Sequence, residues 1–225
     1  SYLPDPRLFV CALQPFIDEV QMTIDGVNDT RKVAQVDFGK WWEDTSATTG
    51  NDPETFYGWP VRKYNFLEGH LLDATRNVAG YNIFIRLPEI YLMYALVMKD
   101  AEPATALEYV NKVHRRAYNY PVDAASPVDY KSLGDQTRTV DPADHLAHDP
   151  LLYELWAELF GEMRWWEYVR LLDLGEREKD YYGTISGPGA AKTAIVWDKK
   201  NYAMPIPTKE FESNPNPGMV QTPGY

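Results

Sequence analysis

Cysteine is almost missing from this chain: Cys11 is the single one in 225 residues. That excludes an internal disulfide framework and any metal site built from several thiolates. No run of about 18 apolar residues occurs, so no segment reads as a membrane-spanning helix. Basic residues are few, 22 against 33 acidic, for a net charge of −11. Nucleic-acid affinity comes largely from Lys and Arg displacing counterions from phosphates, so a nucleic-acid partner is excluded. Anionic membrane surfaces are disfavoured for the same reason. A phosphate-cradling loop is also lacking, since Gly183–Gly189 has neither the lysine nor the helix that such a loop needs. The chain opens at Ser1-Tyr2-Leu3-Pro4 with no initiating methionine and no signal peptide, which suits a processed product or a fragment. Leu8-Phe9-Val10-Cys11 faintly resembles a lipoprotein cleavage box, but no basic region precedes it, and Cys11 reads as internal packing.

What is present is enough for a core, with 44% hydrophobic residues, so the chain is globular and not disordered. Aromatic residues are plentiful: 7 Trp, 16 Tyr and 8 Phe. Most of them fit a core. Sugar ligands, however, also need flat apolar faces with a polar edge, and Trp and Tyr supply both.

Along the chain, residues 1–80 lack helical periodicity and are broken by Pro4-Asp5-Pro6, Asp25-Gly26, Gly50-Asn51-Asp52-Pro53 and Gly58-Trp59-Pro60. A short strand is expected over Val33–Phe38. Residues 81–225 carry the helices, and the two regions together are expected to form one compact unit. Leu87, Ile90, Tyr91, Tyr94 and Met98 predict a helix over 86–98 with that stripe inward. Leu107, Val110 and Val113 predict a second helix over 104–117, with Arg115-Arg116 near its end. Arg86 to Tyr118 thus resembles a tetratricopeptide-like pair, without a second copy on either flank. Residues 119–149 read as a polar, mobile excursion. Asp149 as N-cap, Pro150 in the first turn and Gly175 as C-cap bound an expected helix of about 24 residues, roughly 36 Å long. Its seam is Leu152, Leu155, Trp156, Leu159, Met163, Trp166 and Arg170. A short strand is expected at Thr193–Trp197. The proline-rich tail is expected to pack on the helices, with Thr208 capping one turn.

Four blocks in order carry a family resemblance. Arg86-Leu-Pro-Glu-Ile-Tyr-Leu-Met-Tyr-Ala95 resembles an arginine-led helix of SusD/RagB-type proteins. Ala106-Leu-Glu-Tyr-Val-Asn-Lys-Val-His-Arg-Arg-Ala117 is similar to the next one. Leu151 through Arg170 resembles the most characteristic block, although Leu155 and Glu167 stand where arginine and aspartate are usual. Met204-Pro-Ile-Pro207 through Gln221-Thr-Pro-Gly-Tyr225 resembles the common ending. The resemblance covers about the last 140 residues, and Asp5-Pro6-Arg7-Leu8 looks like an internal segment of the family. It implies a mainly α, tetratricopeptide-like superhelical fold with long irregular loops and few short strands. It also implies an outer-membrane, cell-surface lipoprotein whose lipidated cysteine precedes Ser1 in a longer chain. Such a protein captures an oligosaccharide or polysaccharide and passes it to a SusC-like, TonB-dependent transporter. It uses no cofactor and is not an enzyme.

Glu154, Glu158 and Glu162 recur every four residues, about 5–6 Å apart on a helix, the separation of a retaining glycosidase pair. The simpler reading is ion pairing with Arg86, Arg115, Arg116 or Arg164. His145 and His148 with Asp141, Asp144 and Asp149 hold the right atoms for zinc, but without Cys or a helical His pair they are read as no metal site. The ligand-binding candidates are therefore Trp41, Trp42, Asp44, Asn51, Asp52, Tyr57 and Trp59. Their indoles would stack on sugar rings, and their polar groups would meet hydroxyls. Trp165-Trp166 read as core. The alternatives are a receptor of the same fold for peptides, with basic ones suiting the acidic surface, a glycoside hydrolase, and a helical adaptor that binds only its barrel partner.

Overall fold

The structure is a computed structural model that describes residues 5–11, 19–24, 27–32, 84–139, 141–162, 164–182, 197–214, 216 and 218–225. It is mainly α, as the family resemblance implies. The expected strands at Val33–Phe38 and over 193–196 lie outside the described residues. The described chain falls into two compact units, one ending at Trp165 and the other beginning at Trp166.

In the first unit, helix α1 (Pro6–Cys11) starts on proline, which tolerates the first helical position because no N–H is needed there. Asp5 caps it, accepting from the Arg7 amide at 2.9 Å. Cys11 is buried, in keeping with a packing role. Strands β1 (Glu19–Ile24) and β2 (Val27–Lys32) pair antiparallel with Ile24 opposite Val27. The two residues between them in sequence are Asp25-Gly26, a pair strongly favoured in two-residue hairpin loops.

Helices α2 (Leu87–Met98), α3 (Pro103–Ala117) and α4 (Pro150–Glu158) pack on one another. Their shared core is Leu92 and Ala95 of α2, Ala106, Val110 and Val113 of α3, and Leu151, Leu152 and Leu155 of α4. The α2 face is a correction. Glu89, Leu92 and Ala95 point inward, while Leu87, Ile90 and Tyr94 of the expected stripe are exposed with Met93 and Val97. This helix is apolar nearly all round, so periodicity alone has no face to choose. Glu89 decides it: Arg164 donates to Glu89 at 2.8 Å and that side goes in. α3 ends in a Schellman turn, with Asn119 at φ 61° and the Tyr120 amide donating to the Arg115 carbonyl at 2.9 Å.

Residues 119–149 are pinned, not loose. Asn111 of α3 donates to the Tyr130 carbonyl at 3.0 Å and accepts from its amide at 2.9 Å. Arg115 forks onto Asp129, at 2.9 and 2.7 Å, and reaches Glu108. Thr137 donates its hydroxyl to the Leu146 carbonyl at 2.7 Å.

The expected 24-residue rod is interrupted. Asp149 caps α4 through the Leu152 amide at 2.9 Å, as its sequence position implies. The helix nevertheless stops at Glu158, and α5 (Trp165–Leu171) follows the break. Gly161 lies in the break at φ 76°, a conformation that glycine alone adopts freely. In the second unit, α5 ends in another Schellman turn, the Leu174 amide donating to the Val169 carbonyl at 2.9 Å across Asp173 at φ 53°. Gly175, expected to close the rod, opens α6 (Gly175–Tyr182) instead. Among the described residues a 3-10 turn (Lys199–Tyr202) and α7 (Thr208–Ser213) follow. The tail folds back: the Gln221 amide accepts from the Ile206 N–H at 2.7 Å and donates to its carbonyl at 2.9 Å. Met204 and Val220, expected to pack, are exposed.

Gly161→Ala puts a Cβ into the left-handed region and is expected to cost about 1–2 kcal/mol. Urea denaturation should show a lower midpoint with an unchanged slope. An unchanged midpoint would mean that the helix break does not depend on that backbone conformation.

Candidate functional site

The densest polar cluster among the described residues surrounds the three glutamates of α4 and the turn after it. Glu154 is fully buried and Glu158 nearly so. Like carboxylates one turn apart repel, and burial adds a desolvation penalty to each. The fold answers with guanidinium groups from three separate segments.

Arg7 provides the first. Its Nη1 donates to Glu154 at 2.7 Å and to Glu158 at 3.3 Å. Its Nη2 donates to Asp5 at 2.6 Å and to Glu154 at 3.1 Å, and its Nε to Asp5 at 3.0 Å. The whole donor fork is engaged. Arg86, the residue before α2, donates to Glu158 Oε1 through Nη1 and to Glu162 through Nε at 3.0 Å. Its Nη2 takes the backbone carbonyl of Glu158, one of the carbonyls that the end of α4 leaves without a helical partner. Arg116 closes on Glu158 from α3.

Three further groups complete the shell. His114 Nδ1 lies 2.7 Å from Glu154 Oε1, and because a carboxylate only accepts, Nδ1 carries the hydrogen. The Tyr130 hydroxyl donates to the same oxygen at 3.2 Å, and Tyr153 donates to Asp5 at 2.9 Å. Burial pushes the Glu154 carboxyl up, but the Arg7 charge and the His114 hydrogen bond outweigh it and hold it below its ordinary value. For Glu158 burial is likewise overcome, by the Arg86 hydrogen bond and the Arg7 charge, and for Asp5 by Arg7. Tyr130 and Tyr153 are driven well above the usual phenol range, first by burial and then by the carboxylates they face. Both stay protonated donors.

Such a cluster is poorly fitted to acid–base chemistry. A general acid must hold a proton near neutral pH, whereas Glu154 and Glu158 are held ionised and saturated with donors. The expected ion pairing of the glutamates is present for Arg86 and Arg116. Arg115 and Arg164 differ from expectation: they serve Asp129 with Glu108, and Glu89. Sequence reasoning missed Arg7, whose partner Glu154 stands 147 positions away. Its only signal was the Asp5-Pro6-Arg7 segment and three glutamates in need of cations.

The other expected residues fall as follows. Trp41, Trp42, Asp44, Asn51, Asp52, Tyr57 and Trp59 all lie outside the described residues. Asp149 caps α4, Asp141 accepts from the Ala143 amide at 2.9 Å, and Asp144 accepts from Thr139 at 3.0 Å, so these carboxylates serve local turns. Among the described residues no group of three or more His, Cys, Asp or Glu could hold a metal ion, and no helix is long and apolar enough to cross a membrane. Trp166, expected in the core, is exposed.

Arg7→Ala leaves two buried carboxylates short of a counter-charge and is expected to lose about 3–5 kcal/mol in chemical denaturation. A loss under about 1 kcal/mol would show that water or the other arginines replace it. Acid should act through the same groups. With Asp5, Glu154 and Glu158 held below ordinary values of 3.8, 4.5 and 4.5, the folded state binds fewer protons than the unfolded chain there. Their contribution is complete above those values and is lost as pH falls through the lower folded ones. Urea midpoints should hold from neutrality to about pH 5 and drop below about 4.5. A flat profile down to pH 3 would contradict this.

A family model described as the SusD family matches residues 5–225. The match takes in the Asp5-Pro6-Arg7 segment as well as the helical blocks. No curated protein and no solved structure matches the chain.

Proposed function

The chain belongs to the SusD family, and from that premise we propose that it is a cell-surface glycan receptor of the outer membrane. In this reading it captures an oligosaccharide and delivers it to a SusC-like, TonB-dependent transporter, without chemistry of its own. The observation that carries the non-enzymatic part is the state of Glu154 and Glu158. They are the pair whose spacing best resembles a glycosidase site, and both are committed to arginines. The acidic balance of the chain supports a neutral ligand over nucleic acid.

Within residues 1–80, Trp41, Trp42, Asp44, Asn51, Asp52, Tyr57 and Trp59 are the proposed ligand contacts. Indole faces would stack on the C–H faces of pyranose rings, and the carboxylates and amide would bond the hydroxyls. The helical region 81–225 serves as the scaffold. Loops carried on a rigid frame are where binding residues concentrate.

Calorimetry with neutral gluco-, xylo- and manno-hexasaccharides tests this. At least one should bind wild type, and Trp41→Ala with Trp59→Ala should weaken it about tenfold or more. Reducing-sugar release should stay at the buffer blank. Release that vanishes in Glu158→Gln would replace the receptor with a hydrolase, and binding of basic peptides but no sugar would point to a peptide receptor.

A further inference from the structure

The second unit holds an aromatic group that takes no part in the reading above. Trp166 of α5 meets Trp197 and Tyr202, with ring centroids 6.1 Å from each. Trp197 and Tyr202 are 4.7 Å apart, edge to face. The two inner rings are braced by the first residue of α6. The Trp197 indole lies so close to Gly175 that a Cβ there would sit 2.0 Å from it, and the Gly175 amide donates to the Tyr202 hydroxyl at 2.7 Å. Trp166 is 43% exposed in front of them. Beside the rings stands Asp173, a non-glycine residue at φ 53°, paired with Lys199 at 2.8 Å. Both members of that pair are well exposed.

We propose that Trp166, backed by Trp197 and Tyr202 and flanked by Asp173 and Lys199, is a second saccharide-binding platform, separate from the aromatic segment of residues 1–80. Three features favour a neutral pyranose. Centroid separations of 4.7–6.1 Å are ring-on-ring contact, so the rings leave no cage interior for a cation and a ligand must lie on the outer indole. The inner rings are fixed from behind, so the platform is preorganised and little ordering cost falls on binding. The flanking pair offers a carboxylate acceptor and an ammonium donor while being neutral as a whole. A charged ligand would have to break it, and a hydroxylated one would not.

The ligand class rests on the receptor reading, but the site does not depend on residues 1–80, and the experiment separates the two. The same gluco-, xylo- and manno-hexasaccharides are titrated into 15N-labelled full chain, with the Trp166 indole N–H assigned from Trp166→Phe. The expected result is that at least one sugar shifts this signal, and that the shift persists in the Trp41→Ala/Trp59→Ala variant. Trp166→Ala and, independently, Asp173→Asn should each weaken that remaining binding about tenfold or more, with the far-UV spectrum unchanged. Persistence with no effect at Trp41 and Trp59 would sink the first site and leave this one standing. The proposal is overturned if no sugar moves the Trp166 signal, or if both variants bind as the parent does.

Discussion

Glu154 is fully buried one helical turn from Glu158, and two carboxylates so placed stay ionised only if cations are brought to them. The first unit is organised around supplying those cations. Arg7 comes from the far end of the chain, Arg86 from the approach to α2 and Arg116 from the end of α3. Leu92, Val110 and Leu155 are fully buried in the hydrophobic core, yet such packing is tolerant of small shifts in register. The forked bonds of Arg7 are not. They fix where α1 sits on α4 to within the length of a hydrogen bond.

The interruption after Glu158 follows from the same constraint. A continuous helix would keep the Glu158 carbonyl for its own ladder. Here Arg86 takes that carbonyl, and its Nε reaches Glu162 in the turn beyond. Gly161 supplies the backbone freedom that lets Glu162 swing round to the same guanidinium. Charge pairing thus sets the length of α4, where side-chain periodicity would have let it run on.

Helix existence was legible in the sequence wherever caps, prolines or apolar stripes marked it. Asp149-Pro150 placed the start of α4, and the apolar stripes placed those of α2 and α3 within a residue or so. Facing was legible for α3, whose polar side is distinct, and illegible for α2, whose apolar residues surround the axis. The rod was overextended because Leu159 and Trp166 continue the stripe, while the opposing signal at Gly161 is a single residue. Pairing of the glutamates was legible as a need but not in its partners, since Arg7 and His114 reach Glu154 only through the tertiary fold. Asn111 gave no hint at all, because its role depends on a backbone segment 19 positions on.

That asparagine shows how unevenly the chain is free to vary. Its carboxamide faces the Tyr130 peptide with one donor and one acceptor side by side, as a neighbouring strand would. Aspartate would lose the donor, serine would fall short, and glutamine would carry an extra methylene into a buried space. Position 111 therefore tolerates few substitutions, and the placement of the Tyr130 peptide rests on a helix residue outside residues 119–149.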